Sequence, residues 1–61
     1  MKVELTSREK EVIREVSTGK SNEEVAKTLN ISVNTVKTHL RRSCKKTDSK
    51  NRTELVVKFL K

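Results

Sequence analysis

The chain has 61 residues, which limits it to one small domain whose core contributes no more than about 3–5 kcal/mol of stability. A single Cys excludes an intrachain disulfide, and no apolar run suits a signal peptide or a transmembrane helix, which predicts a cytoplasmic protein. The net charge is +7 and uneven: residues 1–31 hold six basic and six acidic residues, whereas residues 32–61 hold nine basic and two acidic. This distribution predicts a polyanionic partner for the second half of the chain.

Helix caps and apolar periodicity predict an all-α fold, a single domain over residues 1–61. The Thr6-Ser-Arg-Glu and Ser21-Asn-Glu-Glu segments have the capping-box pattern, and Ser32 and Asn51 begin two later helices. Gly19 and Asn30 follow the first two helices and suit a left-handed backbone. The four predicted helices cover about residues 7–18, 22–29, 33–46 and 52–60.

Two elements leave alternatives open at this stage. Glu9 projects onto the apolar face of the first helix, so its carboxylate is either buried in an ion pair or only completes the cap, and the cap is the simpler prediction. Residues 55–60 are rich in β-branched and aromatic side chains, which would also suit a strand. A strand there would make the domain winged.

Residues 26–40 predict the end of a short helix, a three-residue turn and a second helix. At about 100° per residue, one side of that second helix is apolar, and it carries Val33, Val36, Leu40 and Cys44. The other side carries amide, hydroxyl and cationic groups. A helix held by its apolar side, with such a face left free, suits insertion into the major groove of DNA.

Side-chain chemistry divides this free face into two sets of predicted DNA contacts. Lys and Arg match guanine, Asn matches adenine and the Thr methyl packs on thymine, which predicts base contacts for Asn34, Lys37, Thr38 and Arg41. Hydroxyl, imidazole and cationic groups suit phosphate oxygens, which predicts contacts for Thr35, His39 and Arg42 along one flank and for Lys45 on the free face. Lys46 lies along the same flank. A solvated charged face is the alternative for such a helix.

The chain offers little to catalysis or metal binding. His39 has only Cys44 nearby, and five residues along a helix is the wrong face for a shared metal ion. Cys44 lies on the apolar side and is predicted to be a small buried hydrophobe. The sequence shows neither a base placed to activate that thiol nor a Gly-rich phosphate loop. We therefore expect no enzyme activity, no cofactor and no metal.

Six blocks of sequence resemble the LuxR/GerE-type helix-turn-helix domain over residues 5–57. The blocks are LTSREKEV (5–12), GKSN (19–22), VA (25–26), LNIS (29–32), TVKTH (35–39) and NRTELV (51–56). The resemblance implies a four-helix domain that binds double-stranded DNA in bacterial transcription regulators. Many such domains are the output domains of response regulators or quorum sensors, which implies an N-terminal receiver or sensor domain as a partner. A few stand alone.

The resemblance also implies roles for individual residues. Positions that face bases in the family correspond to Lys37, Thr38 and Arg41, which the helical periodicity selects independently. Positions that lie near phosphates correspond to Asn22, Thr35 and His39, and Arg52 is a further phosphate candidate.

The chain departs from the family pattern at three positions that are usually apolar. Ser43 replaces an aliphatic residue late in the third helix, and Thr47-Asp-Ser49 replaces the usual Leu-Gly-Val without a change of length. Natural drift, a deliberate alteration and a locally different packing all remain open as explanations. Lost apolar contacts there predict a loosely docked fourth helix or a repacked arrangement.

The apolar residues of the fourth helix span too wide an arc for one packing surface. We predict that Leu55 and Phe59 face the core, which leaves a two-fold dimer surface formed by Val56, Val57 and Leu60. In the family this helix is a common dimer element. The alternative function is therefore a protein-interaction module that uses residues 52–60 and binds DNA only non-specifically. Binding to an anionic membrane is disfavoured by the capped multi-helix pattern.

Overall fold

Four helices form the fold in the computed structural model, which describes residues 4–60. They are α1 (Ser7–Ser17), α2 (Asn22–Leu29), α3 (Val33–Lys46) and α4 (Arg52–Leu60). The all-α prediction is confirmed, and α1 ends one residue earlier than predicted, with Thr18 as its C-cap. Residues 4–60 contain no strand, so the winged alternative for the C-terminal segment is wrong.

Reciprocal caps fix the first two helices. The Thr6 hydroxyl accepts from the backbone N–H of Glu9 at 3.1 Å, and the Glu9 carboxylate accepts from the Thr6 N–H at 2.8 Å. Ser21 and Glu24 repeat this exchange at 3.2 and 2.9 Å. Each box satisfies two backbone donors that a helix N-terminus otherwise leaves without partners.

The last two helices use single caps. Ser32 Oγ accepts from the N–H of Thr35 at 3.0 Å, and Asn51 Oδ1 accepts from the N–H of Glu54 at 2.8 Å. The Glu54 carboxylate accepts from the N–H of Lys50, at 3.0 Å, instead of from the cap residue itself. The predicted starts of both helices are confirmed.

Three residues with positive φ turn the chain after the first three helices. Gly19 has φ 91° and Asn30 has φ 57°, as their residue types predict. Asp48 has φ 54° after α3, where a Cβ is strained and glycine is the usual choice. The Ser49 N–H still donates to Cys44 O at 2.8 Å, so this helix end keeps its closing hydrogen bond.

All four helices contribute to one small core. Its buried apolar members are Val12, Ile13, Val16, Val25, Ala26, Val36, Leu40 and Leu55. Cys44 is half-buried against this cluster and not fully inside it, which corrects the prediction of a buried thiol. Burial raises the pKa of the Cys44 thiol, and the nearby Glu54 carboxylate raises it further, so the thiol stays protonated.

Glu9 has both of the roles that the sequence presented as alternatives. The residue is only 2% exposed, and it completes the cap with Thr6. It also accepts from Lys46 Nζ at 2.8 Å, which joins the start of α1 to the end of α3. The prediction of a cap alone is therefore wrong, because the buried carboxylate is also paired with a cation.

Hydroxyl groups fill the junction between α3 and α4. Ser43 is fully buried and donates to His39 O at 2.7 Å, and Thr47 donates to Ser43 O at 2.8 Å. Thr47 and Ser49 are half-buried with their hydroxyl oxygens 2.6 Å apart. Lys58 of α4 donates to the carbonyls of Thr47 and Asp48, each at 2.8 Å. Ser43 therefore faces the core, at a position where the family pattern is usually apolar.

Candidate nucleic-acid interface

The helices α2 and α3 pack directly against each other. Three residues separate the two helices, and Asn30 ends α2 in the left-handed conformation. The Ile31 N–H donates to Ala26 O at 2.9 Å, and Ser32 then caps α3. This tight turn fixes the orientation of α3 relative to α2.

One side of α3 is buried in the core and the other is free. Val36, Leu40 and Ser43 are buried, whereas the predicted base-contacting residues Asn34, Lys37 and Arg41 are exposed. The burial pattern repeats every three to four residues along the helix, so the exposed residues lie together opposite the core. The structure brings these three predicted residues onto one outward face.

Thr38, the fourth predicted base contact, is half-buried on this face. Its hydroxyl donates to the Asn34 carbonyl at 2.9 Å, one turn back in the helix. The hydroxyl oxygen can still accept a hydrogen bond, and the methyl group remains available for apolar contact. Thr38 can therefore pack its methyl group on a thymine methyl or accept a hydrogen bond from a base. It cannot donate one, because its hydroxyl proton is bound to the Asn34 carbonyl.

The predicted phosphate contacts of α3 differ in their exposure and in the partners they already have within the domain. Arg42 and Lys45 are exposed and form no ion pair within residues 4–60. Thr35 is half-buried, and its hydroxyl lies 2.8 Å from that of Ser32. His39 is half-buried, and its Nδ1 is the one buried side-chain nitrogen or oxygen without a hydrogen-bond partner in the described part of the chain.

The orientation of His39 selects which ring nitrogen can meet a ligand. Nδ1 faces the interior without a partner, so Nε2 is the nitrogen left to interact outside the domain. A neutral imidazole carries one N–H, and it is placed best where an acceptor can reach it. The geometry therefore suits an Nε2–H donor directed at an external oxygen.

The remaining two predicted phosphate contacts lie together at the starts of α2 and α4. Arg52 Nη1 donates to Asn22 Oδ1 at 3.0 Å, and Arg52 Nη2 donates to the Lys20 carbonyl at 3.2 Å. Asn22 and Arg52 are 30 positions apart in the sequence, and local sequence patterns carry no signal for such a contact. The family resemblance had suggested both residues as phosphate contacts, without indicating that they bind each other.

Lys46 does not belong with the other cations of α3. Its position on the helix flank had placed it beside Thr35, His39 and Arg42, but its ammonium group pairs with Glu9 in the first turn of α1. The two residues are 37 positions apart, so only the buried position of Glu9 in the first helix could have suggested a partner. The free positive face of α3 is therefore formed by Lys37, Arg41, Arg42 and Lys45.

The outer side of α4 carries the predicted dimer surface. Val57 is 50% exposed and Leu60 is 66% exposed, whereas Val56 is half-buried against the core. The predicted core residues differ in the same way: Leu55 is fully buried and Phe59 is half-buried. Two of the three predicted dimer residues thus remain accessible to a partner.

Metal-ligand clusters and membrane-spanning helices are both absent from the residues that the structure describes. Within residues 4–60, no group of three or more His, Cys, Asp or Glu side chains is placed to hold a metal ion. None of the four helices there has the length and apolarity needed to cross a membrane. The groups that the free face of α3 offers to a ligand are its cations, amides and hydroxyls.

A short helix, a tight turn and a second helix that is apolar inside and cationic outside define a helix-turn-helix domain of the DNA-binding type. Residues 3–59 match the family described as bacterial regulatory proteins, luxR family. The chain belongs to this family.

Curated relatives agree with the family match. The chain is 54% identical over 52 residues to the probable csgAB operon transcriptional regulatory protein of Salmonella typhimurium, a match that covers 85% of this chain and 24% of that protein. It is 52% identical over 52 residues to the monoamine regulon transcriptional regulator of Klebsiella aerogenes, covering 85% of this chain and 23% of that protein. It is 41% identical over 56 residues to the nitrate/nitrite response regulator protein NarP of Escherichia coli, covering 92% and 26%.

These matches define the function of the domain at the level of its class. As a luxR-family helix-turn-helix domain, the chain binds DNA in transcription regulation. A module that only associates with other proteins is not favoured. The chain spans about a quarter of the length of the curated relatives it matches.

Proposed function

We propose that the chain binds double-stranded DNA sequence-specifically, with α3 as the recognition helix in the major groove. The observation that carries this proposal is the outward face of α3, where four cations have no ion-pair partner within residues 4–60: Lys37, Arg41, Arg42 and Lys45. Cations without internal partners keep their full charge available for a polyanion. The buried opposite side of the helix fixes which groups meet the duplex.

In this proposal, the base edges are read by the residues nearest the middle of the free face. Lys37 and Arg41 suit the O6 and N7 acceptors of guanine, and Asn34 suits the paired donor and acceptor of adenine. Thr38 offers a methyl group and a hydroxyl acceptor, since its proton is bound within the helix. Discrimination between sequences depends mainly on Lys37 and Arg41, because charged hydrogen bonds are the stronger ones.

Phosphate contacts set the register of the helix on the duplex. We assign Arg42 and Lys45 as cationic contacts, and Thr35, His39 and Asn22 as further hydrogen-bond donors around them. The accessible Nε2 of His39 supports its assignment, because the other ring nitrogen faces the interior. Contacts of this kind carry little sequence information, but they align the recognition helix.

Binding should depend steeply on salt and on the cations of α3. With roughly four phosphates neutralised by the free cations of α3, log K should fall with log salt at a slope of about −3 to −4. The triple change Lys37→Ala, Arg41→Ala, Arg42→Ala should weaken binding to a duplex selected from a random pool by at least about a hundredfold. Fluorescence anisotropy titrations at several salt concentrations measure both quantities.

A matched control separates local contacts from overall charge. The triple change Arg8→Ala, Lys10→Ala, Arg14→Ala removes the same charge from exposed positions of α1 and should weaken binding far less. Equal losses from the two triple variants would contradict the placement of α3 in the groove. Affinity that does not change with salt would contradict phosphate-dominated binding altogether.

We also propose that two copies associate through α4 on paired half-sites about one helical turn apart. The exposed side chains of Val57 and Leu60 support this surface, and Val56 contributes its accessible edge. Sedimentation velocity should show weak association of the free chain and double occupancy of a two-half-site duplex. The double change Val57→Gln, Leu60→Gln should leave occupancy of a single half-site intact and abolish the preference for the paired site. Unchanged preference in that variant would exclude this surface.

The match to a quarter of each relative supports a larger context for the domain. We propose that it serves as the output domain of a regulator, joined to a receiver or sensor domain that controls its access to DNA, as the name of the NarP relative suggests. Such a regulator acts on DNA in the cytoplasm and performs no reaction of its own at this surface.

A further inference from the structure

Arg52 links the N-terminus of α4 to the N-terminus of α2. It is the first residue of α4, and Asn22 is the first residue of α2. Arg52 binds Asn22 Oδ1 with one terminal nitrogen at 3.0 Å and the Lys20 carbonyl with the other at 3.2 Å. Two acceptors held by two nitrogens of one rigid plane fix the guanidinium in a single orientation.

This contact determines which way the Asn22 side chain is turned. A guanidinium only donates hydrogen bonds, so the amide must present its oxygen to Arg52 and its NH2 group to the other side. The NH2 group has no partner within residues 4–60 and is not buried, because His39 Nδ1 is the one buried side-chain nitrogen or oxygen left without a partner there. The Asn22 donor is therefore turned toward solvent at the N-terminus of α2.

We propose that Arg52 is a positioning residue, which acts on DNA through Asn22 and does not bind a phosphate itself. By holding the amide oxygen, it aims the Asn22 NH2 group at a phosphate oxygen beside the N-terminus of α2, where the helix dipole also favours an anion. The proposal rests on the proposed function and adds that the start of α4 controls a contact made by α2. It reassigns Arg52, which the sequence had placed among the phosphate contacts.

The two roles make different predictions for a variant that keeps the charge. A direct phosphate contact tolerates Arg52→Lys, because an ammonium group is also a good phosphate ligand. A positioning role does not, because Lys lacks the planar pair of donors that holds Asn22 and Lys20 O together. Asn22 is neutral, so losing its contact changes affinity without changing the number of counterions released.

The test is a double-mutant cycle on the selected duplex. Asn22→Ala should weaken binding about tenfold, the worth of one hydrogen bond to a charged oxygen. Arg52→Lys should weaken it about equally, and the double variant should be no weaker than either single variant. All three variants should keep the salt slope of the wild type. Thermal melts of each variant establish that binding is measured on folded protein.

Four binding results would overturn the proposal. Wild-type affinity of Arg52→Lys would make Arg52 a simple cationic contact, and wild-type affinity of Asn22→Ala would remove the contact that Arg52 is said to position. Losses that add in the double variant would make the two residues independent. If the salt dependence of Arg52→Ala were less steep than that of the wild type, by about 0.9 in slope, the guanidinium would bind a phosphate directly.

A measurement without DNA separates this proposal from the proposed function. In the free protein, the side-chain NH2 signals of Asn22 should shift in the NMR spectrum of Arg52→Lys, because the amide loses its anchor. If the wild type binds no duplex, the proposed function fails whatever the spectrum shows. If the Asn22 signals do not change while DNA binding is normal, the positioning role alone fails.

Discussion

Replacing Lys46 with Met should lower the free energy of unfolding by roughly 2–4 kcal/mol at neutral pH, because it leaves the buried Glu9 carboxylate without its cation. Glu9 is 2% exposed, whereas the Lys46 side chain is 29% exposed. The expected loss lies below that of a fully buried pair, since the Thr6 N–H still binds the carboxylate. In a domain of this size, such a loss approaches the total stability. Urea denaturation measures it.

The same variant should change how stability depends on pH. In the wild type, burial acts to raise the pKa of Glu9, but the hydrogen bonds from Lys46 and Thr6 and the charge of Lys46 outweigh it, and the pKa is lowered. A lowered pKa in the folded state stabilises the fold above the ordinary value near 4.5, and this contribution is lost as the pH falls through the folded-state pKa. Without Lys46, only the hydrogen bonds from Thr6 oppose burial, so the folded-state pKa of Glu9 should rise and its stabilising contribution near neutral pH should shrink.

The difference between wild type and Lys46→Met should therefore be largest near neutral pH and should shrink as Glu9 becomes protonated. Lys45→Met is the matched control, because Lys45 is the exposed neighbour without an ion pair in the described part of the chain. That change should alter the free energy of unfolding by no more than about 0.5 kcal/mol, both at neutral pH and at the acidic pH where Glu9 is protonated. A Lys46→Met variant as stable as the wild type at neutral pH would show that Glu9 gains nothing from the pair.

The parts of the fold that follow from the sequence are those with local signals. The capping boxes, the left-handed Asn30 and the apolar periodicity of α3 each depend on residues within four positions of one another. This is why the helix boundaries and the outward face of α3 could be predicted. Exposure of Lys37 and Arg41 follows from the same periodicity.

The parts that could not be predicted depend on pairs far apart in the chain. Glu9 and Lys46 are 37 residues apart, and Asn22 and Arg52 are 30 apart, so no local pattern links either pair. Both contacts change the assignment of a cation: Lys46 is removed from the DNA face, and Arg52 becomes a link between helices. Counting charges along a helical wheel overestimates the binding surface for this reason.

Restoring apolar residues at the junction of α3 and α4 should produce the second large effect. The triple change Ser43→Ile, Thr47→Leu, Ser49→Val should raise the free energy of unfolding by roughly 2–4 kcal/mol, since each fully buried aliphatic side chain contributes about 1.5–3 kcal/mol and two of these positions are half-buried. The present hydroxyls satisfy each other and the carbonyls of α3, so they avoid a penalty without supplying apolar contact.

The change should be largest in α4, whose one fully buried residue is Leu55. With more apolar surface beneath it, the amides of residues 52–60 should exchange more slowly with solvent, and the melting temperature should rise by about 10 °C or more. Hydrogen exchange followed by NMR resolves the helix residue by residue. Preferential slowing in α4 would show that weak docking of this helix limits its stability in the wild type.

Asp48→Gly is the control for the loop itself. It relieves the positive φ at that residue without adding apolar contact, so it should stabilise the domain by about 0.5–1 kcal/mol and slow exchange without preference for α4. A triple variant that is no more stable than the wild type would mean that the junction has no room for larger side chains. The hydroxyl network around Ser43 would then be the best packing available to this backbone, and the looseness expected of α4 would be absent.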